Sequence, residues 1–363
     1  MYGKIIRDIV PTTEHRRNSE GSFITKKNGD ILFIYTRFDS SFNDHASADL
    51  YGMVSKDLGE TFLEPFPVLT AKDLGTDNIM SVSLLRMGNG DIGMVFLRKF
   101  GLECEPYFTR SSDEGDTWDN PMPILLGGFN VVNNDRIIRT SDGRILVPVA
   151  CHKRTEDDLI TPAKVSIVAS DDDGRSWYTL SENIALPFKT SWQLYPSYDR
   201  GAMEPLVAEL SGGRLVCMIR TALYAQFESF SEDGGKTWSA PAPSAYTSPD
   251  SPMSLKSLSV GGFLAVWNPV PNYNTREKDH TFDANYGRTP LVCAYVSPNG
   301  QRTGRIHILE DDKESGYCYT AIHETADGGL LLGYCAGHYT DGLMLNRLRI
   351  RKLKKSEKEE LLK

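Results

Sequence analysis

The sequence predicts an all-β fold, a six-bladed β-propeller of four-stranded antiparallel blades. Three observations carry the prediction: a turn octet that recurs about every 60 residues, a glycine hairpin that recurs six times between the octets, and a near absence of helix-period segments. The octet reads Ser-x-Asp-x-Gly-x-Thr/Ser-aromatic. It occurs as Ser55–Phe62, Ser111–Trp118, Ser170–Trp177 and Ser231–Trp238, with a degraded fifth copy at Ser297-Pro298-Asn299-Gly300. Ser and Asp side chains bond turn backbone, Gly takes a positive φ, and the aromatic packs into the sheet, so the motif reads as a structural turn.

The second hairpin places a Gly turn between two apolar runs. Its turns lie at Asn28-Gly29, Asn89-Gly90, Asp142-Gly143, Gly212-Gly213, Gly261-Gly262 and Asp327-Gly328. Two strands around each hairpin and two around each octet make one four-stranded unit. A period of about 60 turns 363 residues into one domain over 1–353 rather than two or three, and leaves a charged tail over 354–363 that reads as a frayed helix or disorder. The chain ends, Lys4–Val10 and Leu343–Ile350, both read as strands and are expected to share the last blade.

Composition narrows the function classes. The chain is 40% hydrophobic and 24% charged, which is ordinary globular usage. No apolar run is long enough for a membrane helix. The net charge of −8 leaves no excess of base for phosphates, so nucleic acid is not an expected partner. The six cysteines are scattered, mostly within apolar runs, and read as buried thiols. The seven histidines lack ligand spacing, and no metal or organic cofactor is expected. As written the chain is expected in the cytoplasm, although an exported chain that has lost its signal peptide would read the same.

The repeat also supplies a register. Counting nine residues back from each hairpin glycine gives Glu20, Ser81, Asn134, Glu204, Met253 and Tyr319, expected to face the mouth of the central channel. Two carboxylates, an amide, a hydroxyl and a phenol on one ring form a chemical set. Asp135 and Arg136 flank Asn134. Arg37, Arg220 and Arg288 sit at the ends of apolar strands, where guanidinium forks aimed at one mouth would clamp an anion.

The octets, the length and these residues resemble the sialidase (neuraminidase) superfamily. The resemblance implies an exo-acting retaining glycosidase that removes a terminal, acidic, sialic-acid-like sugar from a glycan. It assigns Tyr319 as nucleophile, with Tyr317 as runner-up because Ser315-Gly316-Tyr317 also matches. It assigns Glu204 as the base that activates the tyrosine, and Asp44 as acid/base, with Asp49 as the alternative. Arg220 and Arg288 would hold the sugar's acidic group, Arg37 would neighbour the acid, and Glu20, Asn134, Asp135 and Arg136 would line the substrate pocket. One departure stands out: the family's first clamp arginine, in an Arg-Ile-Pro motif, is replaced by Ser19 followed by Glu20, and Arg16 and Arg17 lie out of register. A different sugar on the same fold, or a non-catalytic carbohydrate-binding propeller, are the rival expectations.

Overall fold

The computed structural model describes residues 2–39, 41–154, 162–187, 200–271 and 287–363. The fold is all-β. Each glycine hairpin joins the first two strands of an antiparallel sheet: Arg17–Thr25 with Ile31–Phe38, Asn78–Arg86 with Ile92–Phe100, and Met203–Glu209 with Leu215–Arg220. The same holds for Ser254–Ser257 with Phe263–Trp267, and for Cys318–Glu324 with Leu330–Cys335. In the remaining case the first strand is interrupted, and Phe129–Val131 and Ile138–Arg139 both pair with Ile145–His152. Third and fourth strands complete four-stranded sheets, for example Ala225–Ser231 and Ala242–Thr247. Single parallel bridges, Ala48 to Asn78 and Cys104 to Phe129, link three of these sheets edge to edge.

Sheets that follow one another in the chain pack face to face. Leu32 and Ile34 meet Leu84 and Met94; Leu146 and Ile167 meet Val207 and Cys217; Leu206 and Met218 meet Ala265 and Val292. Because both faces of a sheet are covered, the second strands are mostly apolar, as in the run Leu215–Ile219 that leads to Arg220.

Both chain ends share one sheet. Lys4–Ile9 pairs with Leu348–Leu353, which continues into Leu330–Cys335 and Cys318–Glu324. The C-terminal strand therefore begins five residues later than the sequence suggests. Residues 343–347 form a turn, in which the Asn346 amide N–H bonds the Leu343 carbonyl at 3.1 Å. This sheet packs on the Arg17–Thr25 sheet through Phe23, Phe33, Leu331 and Ile350. The charged tail is a helix, Lys355–Leu361, and it is docked. Leu361 is fully buried beside Leu258 and Leu309, and Lys358 Nζ bonds Glu324 at 2.8 Å.

The four complete octets are superimposable in their bonding. In Ser111–Trp118, Asp113 accepts from the Ser111 hydroxyl at 2.7 Å, the Thr117 amide at 2.9 Å and the Thr117 hydroxyl at 2.5 Å. The Ser111 hydroxyl accepts from the Gly115 amide at 2.7 Å, and Gly115 sits at φ +93°. All six cysteines are free thiols, five of them buried. No helix among the described residues is long and apolar enough to cross a membrane.

Candidate active site

The register positions coincide with a repeated backbone irregularity. The pairing shifts between Asn18 and Gly21, Met80 and Ser83, Met203 and Leu206, and Cys318 and Ala321. Each shift is a β-bulge around a register residue: Glu20, Ser81, Glu204 or Tyr319. Ser81, Glu204 and Tyr319 hold φ of +61°, +39° and +58°, a region that non-glycine residues occupy only when their surroundings over-determine it. The bulge turns each side chain out of the sheet's alternation and toward a shared space.

Two of these residues meet. The Tyr319 hydroxyl donates to Glu204 Oε1 at 2.9 Å. Glu204 Oε2 accepts from Arg220 Nη1 at 2.6 Å, and Arg220 Nε donates to Asp250 Oδ1 at 2.7 Å. Arg288 is buried, its guanidinium carbon 5.6 Å from the Tyr319 ring centroid, and its Nη2 donates to the Asp250 carbonyl at 3.0 Å. Burial pushes the Tyr319 phenol well above its ordinary value, and the Glu204 charge adds to the rise. Burial also works to raise Glu204, but Arg220 and Arg288 outweigh it and hold the carboxyl below its usual range. At rest the proton stays on the phenol and the charge on Glu204, which is the arrangement a nucleophile–base pair requires.

A second group lies at Asp44. Arg17 Nη1 donates to the Asp44 carboxylate and, at 3.3 Å, to the Phe42 carbonyl. Arg17 Nη2 donates to the Ser19 hydroxyl at 3.0 Å and lies 3.6 Å from Glu20. Glu20 accepts from the hydroxyls of Ser19 and Ser81. Lys99 Nζ donates to the Asp44 carbonyl at 2.6 Å, and Asn78 holds the same loop by its amide. Burial favours the neutral acid at Asp44, yet Arg17 and then Lys99 prevail and hold its carboxyl far below the ordinary range. The two groups connect through the thiols: the Ser19 hydroxyl lies 3.6 Å from Cys335 Sγ, and Cys335 pairs across the ladder with Cys318, the neighbour of Tyr319.

The other expected residues make different contacts. Tyr317 is buried in an apolar cluster, edge-on to Tyr334, so the phenol that reaches Glu204 is Tyr319. Asp49 accepts from the Ala71 amide at 2.7 Å. Arg37 lies over the Tyr51 ring at 4.5 Å; the arginine paired with Asp44 is Arg17, while Arg16 is exposed. Asn134, Asp135 and Arg136 tie sheets together. The Asn134 amide donates to the Gly21 and Tyr319 carbonyls at 2.8 and 3.0 Å. Asp135 accepts from the Ser22 hydroxyl, Lys256 and the Ile322 amide, and Arg136 donates to the Met253 carbonyl at 2.9 Å.

Asp250 escapes the sequence reading. A signal for it exists: Arg17, Asn78 and Asp250 each stand three residues before a register position, where the chain enters the first strand of a sheet. Among the described residues no group of three or more His, Cys, Asp or Glu is arranged to hold a metal ion.

The chain's likeness to solved structures is one of fold. A protein of unknown function from Dyadobacter fermentans superposes with a TM-score of 0.72 at 18% identity, covering 97% of this chain and 99% of that one. The Hadza microbial sialidase Hz136 gives 0.70 at 16% identity, covering 94% and 66%. The intramolecular trans-sialidase from Ruminococcus gnavus gives 0.69 at 13% identity, covering 98% and 97%. No curated protein matches the chain in sequence. The family model described as BNR repeat-like domain matches residues 95–332. The match spans well over half of the chain and includes three of the four complete octets, so the chain belongs to the BNR repeat-like domain family.

Proposed function

We propose that the antiparallel sheets are the blades of a six-bladed β-propeller, and that the protein is an exo-acting retaining glycoside hydrolase of the sialidase-like type. The observation that carries the reading is the partly buried Tyr319–Glu204 hydrogen bond, braced by Arg220 and set on two equivalent strained bulges. In this mechanism the Tyr319 oxygen attacks the anomeric carbon as its proton passes to Glu204. Asp44 protonates the departing glycosidic oxygen, leaving a covalent glycosyl–tyrosine ether. Water, deprotonated by Asp44, then displaces Tyr319 from the anomeric carbon, and Glu204 returns the proton to the phenolate. In its resting pair with Arg17, Asp44 is an acceptor; it becomes an acid when bound substrate loosens that pair and a proton arrives.

A phenol suits this position because the resting nucleophile is neutral and the base beside it carries the charge. The test is hydrolysis of a panel of aryl glycosides. Tyr319→Phe and Glu204→Ala are expected to abolish turnover of whatever the wild-type protein cleaves. Activity unchanged in both variants would remove these residues from the chemistry.

A further inference from the structure

We infer that Lys99, Arg154 and His45 form an oxyanion subsite beside Asp44, and that the leaving group of the substrate carries a sulfate, phosphate or carboxylate close to the cleaved bond. The inference rests on the glycosidase reading and names the chemistry of its leaving group. Lys99 stands near the end of Ile92–Phe100, and Arg154 follows Ile145–His152. Both cations lie over the ring of Phe129: Lys99 Nζ is 5.9 Å and the Arg154 guanidinium carbon 5.2 Å from its centroid. The ring of His45, on the Asp44 loop, is centred 6.2 Å from the same point.

The cluster has donors to spare. Lys99 Nζ donates to the Asp44 carbonyl at 2.6 Å, and Arg154 Nη1 donates to His45 Nδ1 at 3.1 Å. Burial, with Lys99 and then Arg154 behind it, pushes His45 down to about 4, so the ring is neutral and carries its proton on Nε2. Both cations thus bond uncharged partners, while the Asp44 carboxylate faces Arg17. Glu103 and Glu105 lie on the neighbouring strand, but Lys99 pairs with Cys104, which puts both carboxylates on the opposite face. Exposure then separates the sugar side from the leaving side. The Glu204 and Arg220 side chains are 14% and 6% exposed, whereas Asp44 is 56% exposed and the Lys99 and Arg154 bonds face solvent. An exo-acting enzyme encloses the terminal sugar and leaves the rest of the glycan outside, so the cluster meets the part that departs. An oxyanion there takes charge-assisted hydrogen bonds from Lys99, Arg154 and His45 Nε2. It also offsets Lys99, which after Arg17 is the cation that holds the Asp44 carboxyl down against burial, and so helps Asp44 take up the proton it delivers.

The experiment uses aryl glycosides of the same panel whose phenol bears a methylene arm ending in a sulfate ester, a phosphate ester, a carboxylate or a neutral carboxamide. The arm keeps leaving-group acidity matched. Wild type is expected to favour the anionic members over the carboxamide by about tenfold in kcat/KM at low salt, and by less at high salt. The member with the highest ratio names the group. Arg154→Gln is expected to cut the ratio at least about threefold, and Lys99→Gln combined with Arg154→Gln to bring it to about one. A wild-type preference for the carboxamide, no preference, or a preference that both variants leave unchanged would overturn the inference. If no member turns over, the glycosidase reading fails, and calorimetry with a free hexose, its sulfate and phosphate esters and the hexuronic acid still reads the subsite. Tighter binding of the anionic forms, lost in Arg154→Gln, would uphold it. Equal binding, no binding, or a preference that Arg154→Gln leaves intact would overturn it there too.

Discussion

The four turn octets should make this protein lose stability in acid by a countable amount. Asp113 accepts three hydrogen bonds from its own turn and Asp172 and Asp233 four each, and these bonds hold each carboxyl at about 2, against an ordinary 3.8. A drop of that size corresponds to about 2.4 kcal/mol per group at 1.36 kcal/mol per pH unit. The carboxylates are exposed, so solvent screening reduces this to about 1 kcal/mol each. Because the folded value is depressed, the contribution is fully present above the ordinary carboxylate range and is lost as pH falls through about 2. The triple variant Asp113→Asn, Asp172→Asn, Asp233→Asn should therefore be about 3 kcal/mol less stable than wild type at pH 7, a shift of several degrees in Tm for a chain this long. The gap should shrink to about a third of that at pH 2.5 and go on falling at lower pH. Asn299, at the carboxylate position of the degraded fifth octet, supplies an internal comparison, since its turn has nothing to titrate. Chemical denaturation at the two pH values is the assay. A triple variant as stable as wild type at pH 7, or equally destabilised at both pH values, would refute the assignment of the acid sensitivity to these turns.

Three further outcomes are expected. Arg17→Met removes the cation that depresses Asp44, so the basic limb of the kcat/KM profile should move up by about 1–2 pH units; an unmoved limb would exclude Asp44 as the acid. Glu204→Gln removes the proton acceptor of Tyr319 while leaving an oxygen for Arg220, and should lower kcat by about a thousandfold with a smaller change in KM; steady-state kinetics decides. Leu361→Ala should cost about 2–4 kcal/mol by denaturant titration, because Leu361 is fully buried under the sheet that holds both termini; a loss below about 0.5 kcal/mol would mean that the helix contributes little.

Tyr319 and Glu204 were legible in the sequence because the backbone bulge repeats with the hairpin, so counting from a glycine lands on the same kink each time. Asp250 and Arg17 were harder to read. Both lie in the entry to the first strand of a sheet, where no turn signature marks the register, and both act on residues of other segments. Polar character marked Asn134, Asp135 and Arg136 without showing their partners, because those partners are remote in sequence: Asp135 gives its carboxylate to Ser22, Lys256 and Ile322, and Asn134 bonds the Tyr319 carbonyl. Arg37 could have been placed by strand alternation, since it shares a face with Phe33 and Tyr35 rather than with Thr36 and Phe38. The tail reads as solvated from its charge, yet Lys358 and Leu361 are three residues apart and fall on one helical face, the face that docks.

The pairing of Lys4–Ile9 with Leu348–Leu353 has a consequence for biosynthesis. At 5–20 residues per second, the first strand waits roughly 20–70 s after emerging from the ribosome before its partner exists. Throughout that interval Phe23 and Phe33 lack the Leu331 and Ile350 face that covers them. The nascent chain therefore carries an open sheet edge and an uncovered apolar surface until residues 348–353 have been made. Its yield in a cell should depend on chaperone capacity more than on the stability of the finished molecule.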